Sequence, residues 1–183
     1  MEREQALEEL KGRVKNENLI KHSLAVEAIM KELAFYFKDD IDKWGLAGLL
    51  HDIDYDKTAD DPSKHSLVGA DILESLDVES SIVYAVRAHN DYHGIERKRK
   101  IDKALYCSDP MAGLITACAL ILPSKKLEDV TVEFVIKRFD EKGFAKGANR
   151  EQIKSCEQLG ISLEKFAELA LKAMKEISDD LGL

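Results

Sequence analysis

Apolar residues recur along this chain at intervals of three and four, as in Val26, Ile29, Met30, Leu33 and Phe37, and again in Leu163, Phe166, Ala170, Met174 and Ile177. That spacing lines one face of an α-helix. It runs through almost every apolar segment and predicts helices over 2–15, 17–37, 40–51, 62–76, 79–91, 100–108, 110–121, 131–141, 149–159 and 162–180. The breaks are legible too: Asp61-Pro62 opens a helix, Gly94 closes one and Pro110 interrupts another. No Val/Ile/Thr alternation bounded by hairpin turns is long enough to propose a sheet. The expected fold class is all-α. The segment 52–61, acid-rich and directly after His51-Asp52, is the expected functional loop.

At 183 residues with 45% hydrophobic composition, the chain is sized for one domain, 1–183, around a single core. A formal charge of -8, with basic residues scattered among acids apart from Arg97–Lys100, argues against nucleic acid as a general partner. The opening MEREQALEELKGRV reads as an amphipathic helix and not as a signal peptide. The longest apolar run, Met111 to Leu122, is short of the roughly 20 residues that cross a bilayer. A cytoplasmic protein with no membrane partner is therefore expected. Cys107, Cys118 and Cys156 have no CxxC spacing and read as core thiols.

The histidines change the picture. His22, His51, His65, His89 and His93 all fall in the first half of the chain. His22 lies four residues before Val26 on an inward helix face, His89 continues the line of Ile82, Ala85 and Val86, and His65 precedes Gly69 and Ile72 at the same spacing. For any one of them a hydrogen-bonded core histidine is the plainer account. Three buried imidazoles would each need a polar partner, and one metal satisfies several together. His51-Asp52 closes a helix, where adjacent side chains can converge on one point. Asp109 stands before Pro110 among apolar neighbours, either neutralised by a cation or acting as the N-cap of the helix that the proline opens.

In this order the residues resemble the HD-domain metal-dependent phosphohydrolases. The family pattern of an isolated His, a His-Asp doublet and a distal Asp is matched by His22, His51-Asp52 and Asp109. His65 in KHSLVGADIL and His89 in AVRAHND fit the two further histidines of two-metal members. GLAGLLHDID resembles the helix that ends in the doublet, and KALYCSDPMAG the helix that delivers the last aspartate. The resemblance covers 17–122 and implies a helical bundle around a buried metal site with His22, His51, Asp52, His65, His89 and Asp109 as ligands. Asp54 stands where the family's common His-Asp-Ile-Gly form has glycine. Residues 123–183 lie outside the resemblance and are assigned to packing, substrate enclosure or a homodimer surface.

Imidazole and carboxylate donors suit one or two divalent transition metals, Fe, Mn, Co, Ni or Zn, better than Ca. Such a metal lowers the pKa of water and neutralises phosphate oxygens, which points to hydrolysis of a small phosphorylated molecule such as a nucleotide. Asp52 would bridge the two positions. Lys57, Lys64, Arg87 and Lys103 lie near ligands in sequence and are candidates for binding phosphate, or ordinary surface charges. Asp54 and Asp56 are candidate proton donors to the leaving group, or solvated acids at a helix end. His93 is either a group in the third shell around the metal or substrate-facing, or a plain helix C-terminal cation. Asn149, ahead of Arg150, reads as an N-cap with Gln152 three residues on. Two rival functions use the same ligands: a two-iron oxidoreductase, and a metal-binding regulatory module without turnover.

Overall fold

Two polar caps start the helices that carry His22 and the doublet. Asn16 accepts the N–H of Asn18 at the head of α2 (Glu17–Phe37), and Asp40 accepts that of Lys43 at the head of α3 (Ile41–Leu50). Between them Lys38, at φ 57, turns the chain so that α3 runs back along α2. The two backbones approach closely at Gly48, where a Cβ would sit 2.8 Å from the Val26 carbonyl oxygen and 2.9 Å from Glu27 Cα. Only glycine fits there, and this contact sets His51, one turn later, beside His22, one turn before Val26.

The computed structural model describes residues 1–141 and 143–183, with no strand among the described residues. As the periodicity predicts, it is all helical. The remaining helices are α1 (Arg3–Arg13), α4 (Tyr55–Thr58), α5 (Leu67–Ser75), α6 (Ser80–Ala88), α7 (Lys100–Ile121), α8 (Val132–Asp140), α9 (Arg150–Lys154), α10 (Leu163–Glu176) and α11 (Ser178–Leu181). Short 3-10 turns cover Asp91–His93, Leu127–Asp129 and Ser155–Leu159. One buried apolar cluster runs from Ala6 to Leu181; within it α2 packs on α3, α7 and α10, and α9 on α7.

Three expectations need correction. The predicted break at Pro110 does not occur, because α7 is one helix of 22 residues with the proline inside it. Proline cannot donate to the carbonyl four residues back. The Tyr106 carbonyl receives the Gln152 Nε2–H instead, at 2.8 Å. Asp109 is therefore an interior helix residue and not an N-cap. The helix expected from 62 begins at Leu67, after Ser66 takes the left-handed φ of 71. The loop 52–61 contains the single-turn helix α4. Unbroken, α7 is long and apolar enough to cross a bilayer, although 67% of that stretch is buried against other helices, as in a core helix.

Candidate metal centre

His51 and Asp52 leave the end of α3 into the interior, 0% and 7% exposed. The His51 Nε2 lies 3.4 Å from Asp52 Oδ2 and 3.9 Å from Asp109 Oδ1, and His22 Nε2 lies 3.0 Å from the same Asp109 oxygen. On the other side of Asp52, its Oδ1 is 3.4 Å from His65 Nε2 and 3.6 Å from His89 Nε2. Donor atoms of His22, His51 and Asp52 all fall within 4.8 Å of one another, and so do those of Asp52, His65 and His89. Asp52 thus belongs to two groups, one oxygen turned to each. Helices α2 and α3 bring in the first group, with Asp109 of α7 beside its two histidines, while the α5 approach and the end of α6 bring in the second.

Outer hydrogen bonds fix the rings. His51 Nδ1 donates to the Gly48 carbonyl at 2.8 Å, His89 Nδ1 to the Val86 carbonyl at 2.6 Å, and His65 Nδ1 to Asp54 Oδ1 at 3.2 Å. Those acceptors carry lone pairs only, so a proton sits on each Nδ1 and it is Nε2 that faces the centre, free to bind a cation once it carries no proton of its own. The His65 and His89 Nε2 atoms face each other at 3.1 Å. The His51 Nε2 is buried without a hydrogen-bond partner. An orphaned buried acceptor costs about 1–3 kcal/mol, and facing lone pairs add to that, so the arrangement calls for a cation.

The electrostatics agree. Burial alone would lower the His51 pKa, but the charges of Asp52 and Asp109 push it up to about 9. Against its own burial, Asp52 is held well below the usual carboxylate range by His51 and His89, and Asp109 is lowered by His22. A site that attracts a proton this strongly attracts a divalent cation for the same reason, and the donors are those of a transition-metal site.

A family model described as the HD domain matches residues 19–142, which runs past 122 and through α8. The chain belongs to the HD domain family. HD domains bind divalent metals, and the cluster around Asp52 has the donors to do so. Relatives named Ribonuclease Y are similar over parts of the chain. That of Nitratidesulfovibrio vulgaris is 36% identical over 76 residues, 42% of this chain and 15% of its own length. Those of Lawsonia intracellularis (31% over 78 residues, 43% and 15%) and Desulforamulus reducens (29% over 157 residues, 79% and 30%) are similar as well. The chain spans less than a third of the length of each. No solved structure matches it.

Around the HD ligands the structure redistributes several expected roles. Asp54, expected as a loop acid, is 1% exposed and accepts the backbone N–H groups of Ser66 (2.9 Å) and Gly69 (3.1 Å) as well as His65 Nδ1. With its oxygens committed as acceptors it orients His65 and presents no proton to the centre. Gly69 permits this approach, since a Cβ there would meet Asp54 Oδ1 at 3.2 Å. Asp56 is exposed and accepts the Lys15 N–H at 2.6 Å, tying α4 to the turn between α1 and α2. Arg87 is turned to Asp71 and Glu74 on α5, and Lys64 to Asp61, so neither cation is directed at the cluster. Lys57 is exposed and Lys103 half-buried.

Sequence reasoning missed Tyr55 and Asn90. The Tyr55 ring packs edge-on against His65 at 5.2 Å, and burial, then the charges of Asp52 and Asp109, raises its pKa. Asn90 donates to the His65 carbonyl at 3.1 Å, and His93 Nε2 donates to the same oxygen at 2.9 Å. His93 therefore supports the His65 backbone, as a group in the third shell would. A tyrosine three residues after a buried His-Asp pair was the available signal for Tyr55; nothing local marks Asn90.

Proposed function

We propose that this HD domain is a metal-dependent phosphohydrolase acting on a small phosphorylated molecule, a nucleotide. The observation that supports it most is the set of Nε2 and carboxylate atoms converging on Asp52 with the ring protons tied outward. In this reading His22, His51, Asp52 and Asp109 hold one divalent metal, and Asp52, His65 and His89 hold a second. Bound there, the metal supplies Lewis acidity that lowers the pKa of water and neutralises phosphate oxygens. Asp54, Asn90 and His93 keep His65 in place. The Tyr55 hydroxyl donates to a substrate oxygen, and Lys57 and Lys103 are the remaining candidates to counter phosphate charge.

The name Ribonuclease Y carried by the relatives favours a second reading, hydrolysis of RNA phosphodiesters. Against an extended RNA ligand, the basic run at Arg97–Lys100 is partly neutralised from within: Arg97 pairs with Asp91 and Arg99 with Asp102. A screen of nucleoside mono-, di- and triphosphates, cyclic nucleotides and a short single-stranded RNA, with Mn(II), Fe(II) or chelator, separates the readings. Metal-dependent, chelator-sensitive turnover of a mononucleotide is expected. Cleavage of RNA with no mononucleotide turnover would move the assignment to the phosphodiester, and no turnover of any probe would contradict both.

A further inference from the structure

The metal cluster is not evenly buried. Side-chain exposure is 0% for His51 and 2% for His89 but 22% for His22 and 30% for Asp109, so the site opens on the His22–Asp109 side. The two helices that deliver this open edge continue past it and enclose a groove of about 430 Å³ with His22 in its wall. On α7, Gly113, Thr116 and Leu120 follow Asp109 along one helix face; on α2, Asn18 lies one turn before His22, with Lys21 beside it. Leu181 of α11 closes the far side.

We infer that this groove between α2 and α7 binds the nucleoside-sized leaving group of the substrate, with Gly113 setting the room available. Calling the occupant a leaving group rests on the hydrolytic reading above. The groove falls within the volume range of pockets for small organic ligands, about 300–1,000 Å³. Its chemistry suits a flat ring system with a hydrogen-bonding edge. Leu120 and Leu181 offer apolar surface, and Leu120 is left 50% exposed on its helix. Among the described residues, the Asn18 amide, the Lys21 ammonium and the Thr116 hydroxyl have no side-chain hydrogen-bond partner. Three unpaired polar groups thus converge on the groove that shares a wall with the metal cluster. The Lys21 Nζ lies 2.9 Å from where a Gly182 Cβ would stand, on the Leu181 side of the groove. Gly113 is the position that decides size: it lines the groove, and no atom comes within 4 Å of a Cβ placed there, so a side chain at 113 would extend into open groove space.

That last point gives a test, because a Cβ at position 113 meets nothing within 4 Å in the fold and Gly113→Leu removes a residue that disfavours helix by about 1 kcal/mol relative to alanine. Binding of adenosine and of uridine is measured by calorimetry on the whole chain, metal-loaded and chelator-treated, for wild type, Gly113→Leu and Thr116→Val, alongside metal content and adenosine 5′-monophosphate hydrolysis. Wild type should bind a nucleoside saturably in both states. Gly113→Leu should weaken binding by about tenfold or more, as crowding of a close-fitting pocket does, with metal content and melting temperature not reduced. Thr116→Val should weaken it in the same direction. Nucleoside binding lost in Gly113→Leu without hydrolysis of any phosphate in wild type would keep the groove and overturn the hydrolase reading. Hydrolysis in wild type with nucleoside binding absent, or unchanged in both variants, would overturn the groove and leave the hydrolase reading standing.

Discussion

Glu27 and Asp52 are both buried carboxylates, 3% and 7% exposed, and their neighbours differ in kind. Glu27, on α2, receives Arg3 through Nε at 2.5 Å and Nη2 at 2.9 Å, and Lys31 through Nζ at 2.6 Å. The chain supplies its own cations there. Among the described residues, the side chains paired with Asp52, with Asp109 nearby, are imidazoles, and His51, His65 and His89 have their Nδ1 protons turned outward. A buried charge is tolerated only when compensated, so the first centre is complete as folded while the second is complete only with a cation from outside. Burial is alike in the two places; what separates a structural ion pair from a ligand site is where the compensating charge comes from.

The comparison predicts effects of different kind and size. Asp52→Ala removes the carboxylate shared by both groups, and near-complete loss of bound metal and of hydrolysis is expected by elemental analysis and assay; full stoichiometry in this variant would break the distinction. Glu27→Ala should do the reverse. It costs about 1.5–3 kcal/mol in denaturant unfolding, the range for hydrogen bonds to a charged group, while metal content stays at the wild-type value. A fall in metal content with stability unchanged would contradict it.

Asp54→Asn tests whether the outer hydrogen bond to His65 matters. Metal affinity should drop about 10- to 100-fold at the position shared by Asp52, His65 and His89, read by competition with a chelating dye, with the His22–His51 side still filled. Equal affinity at both positions would show that His65 needs no such support. The smallest effect is expected for Lys31→Met. Its ammonium is 34% exposed and Arg3 still covers Glu27, so stability should change by no more than about 1 kcal/mol. A larger loss would mean that Lys31, and not Arg3, completes that centre.

Much of this was legible in the chain, for definite reasons. Three-and-four periodicity reports which face of a helix is buried, which gave the all-α class and aimed His22, His65 and His89 inward. The doublet and the distal aspartate carried the family resemblance. What could not be read locally depended on partners distant in sequence. Pro110 stays inside α7 because Gln152 of α9 serves the carbonyl that it strands. Asp54 became a support and not an acid because the left-handed turn at Ser66 delivers two backbone N–H groups to it. Arg87 was set aside by two acids on α5, a pairing that only the packing of α5 against α6 creates.

The central claim, that the cluster around Asp52 is a metal centre, is tested most directly by diffraction at the manganese edge from crystals of the unaltered chain grown with Mn(II). The account predicts an anomalous peak bounded by His22, His51, Asp52 and Asp109, with a second among Asp52, His65 and His89 as that position fills. A folded protein with the six side chains in place and no anomalous density among them would contradict it.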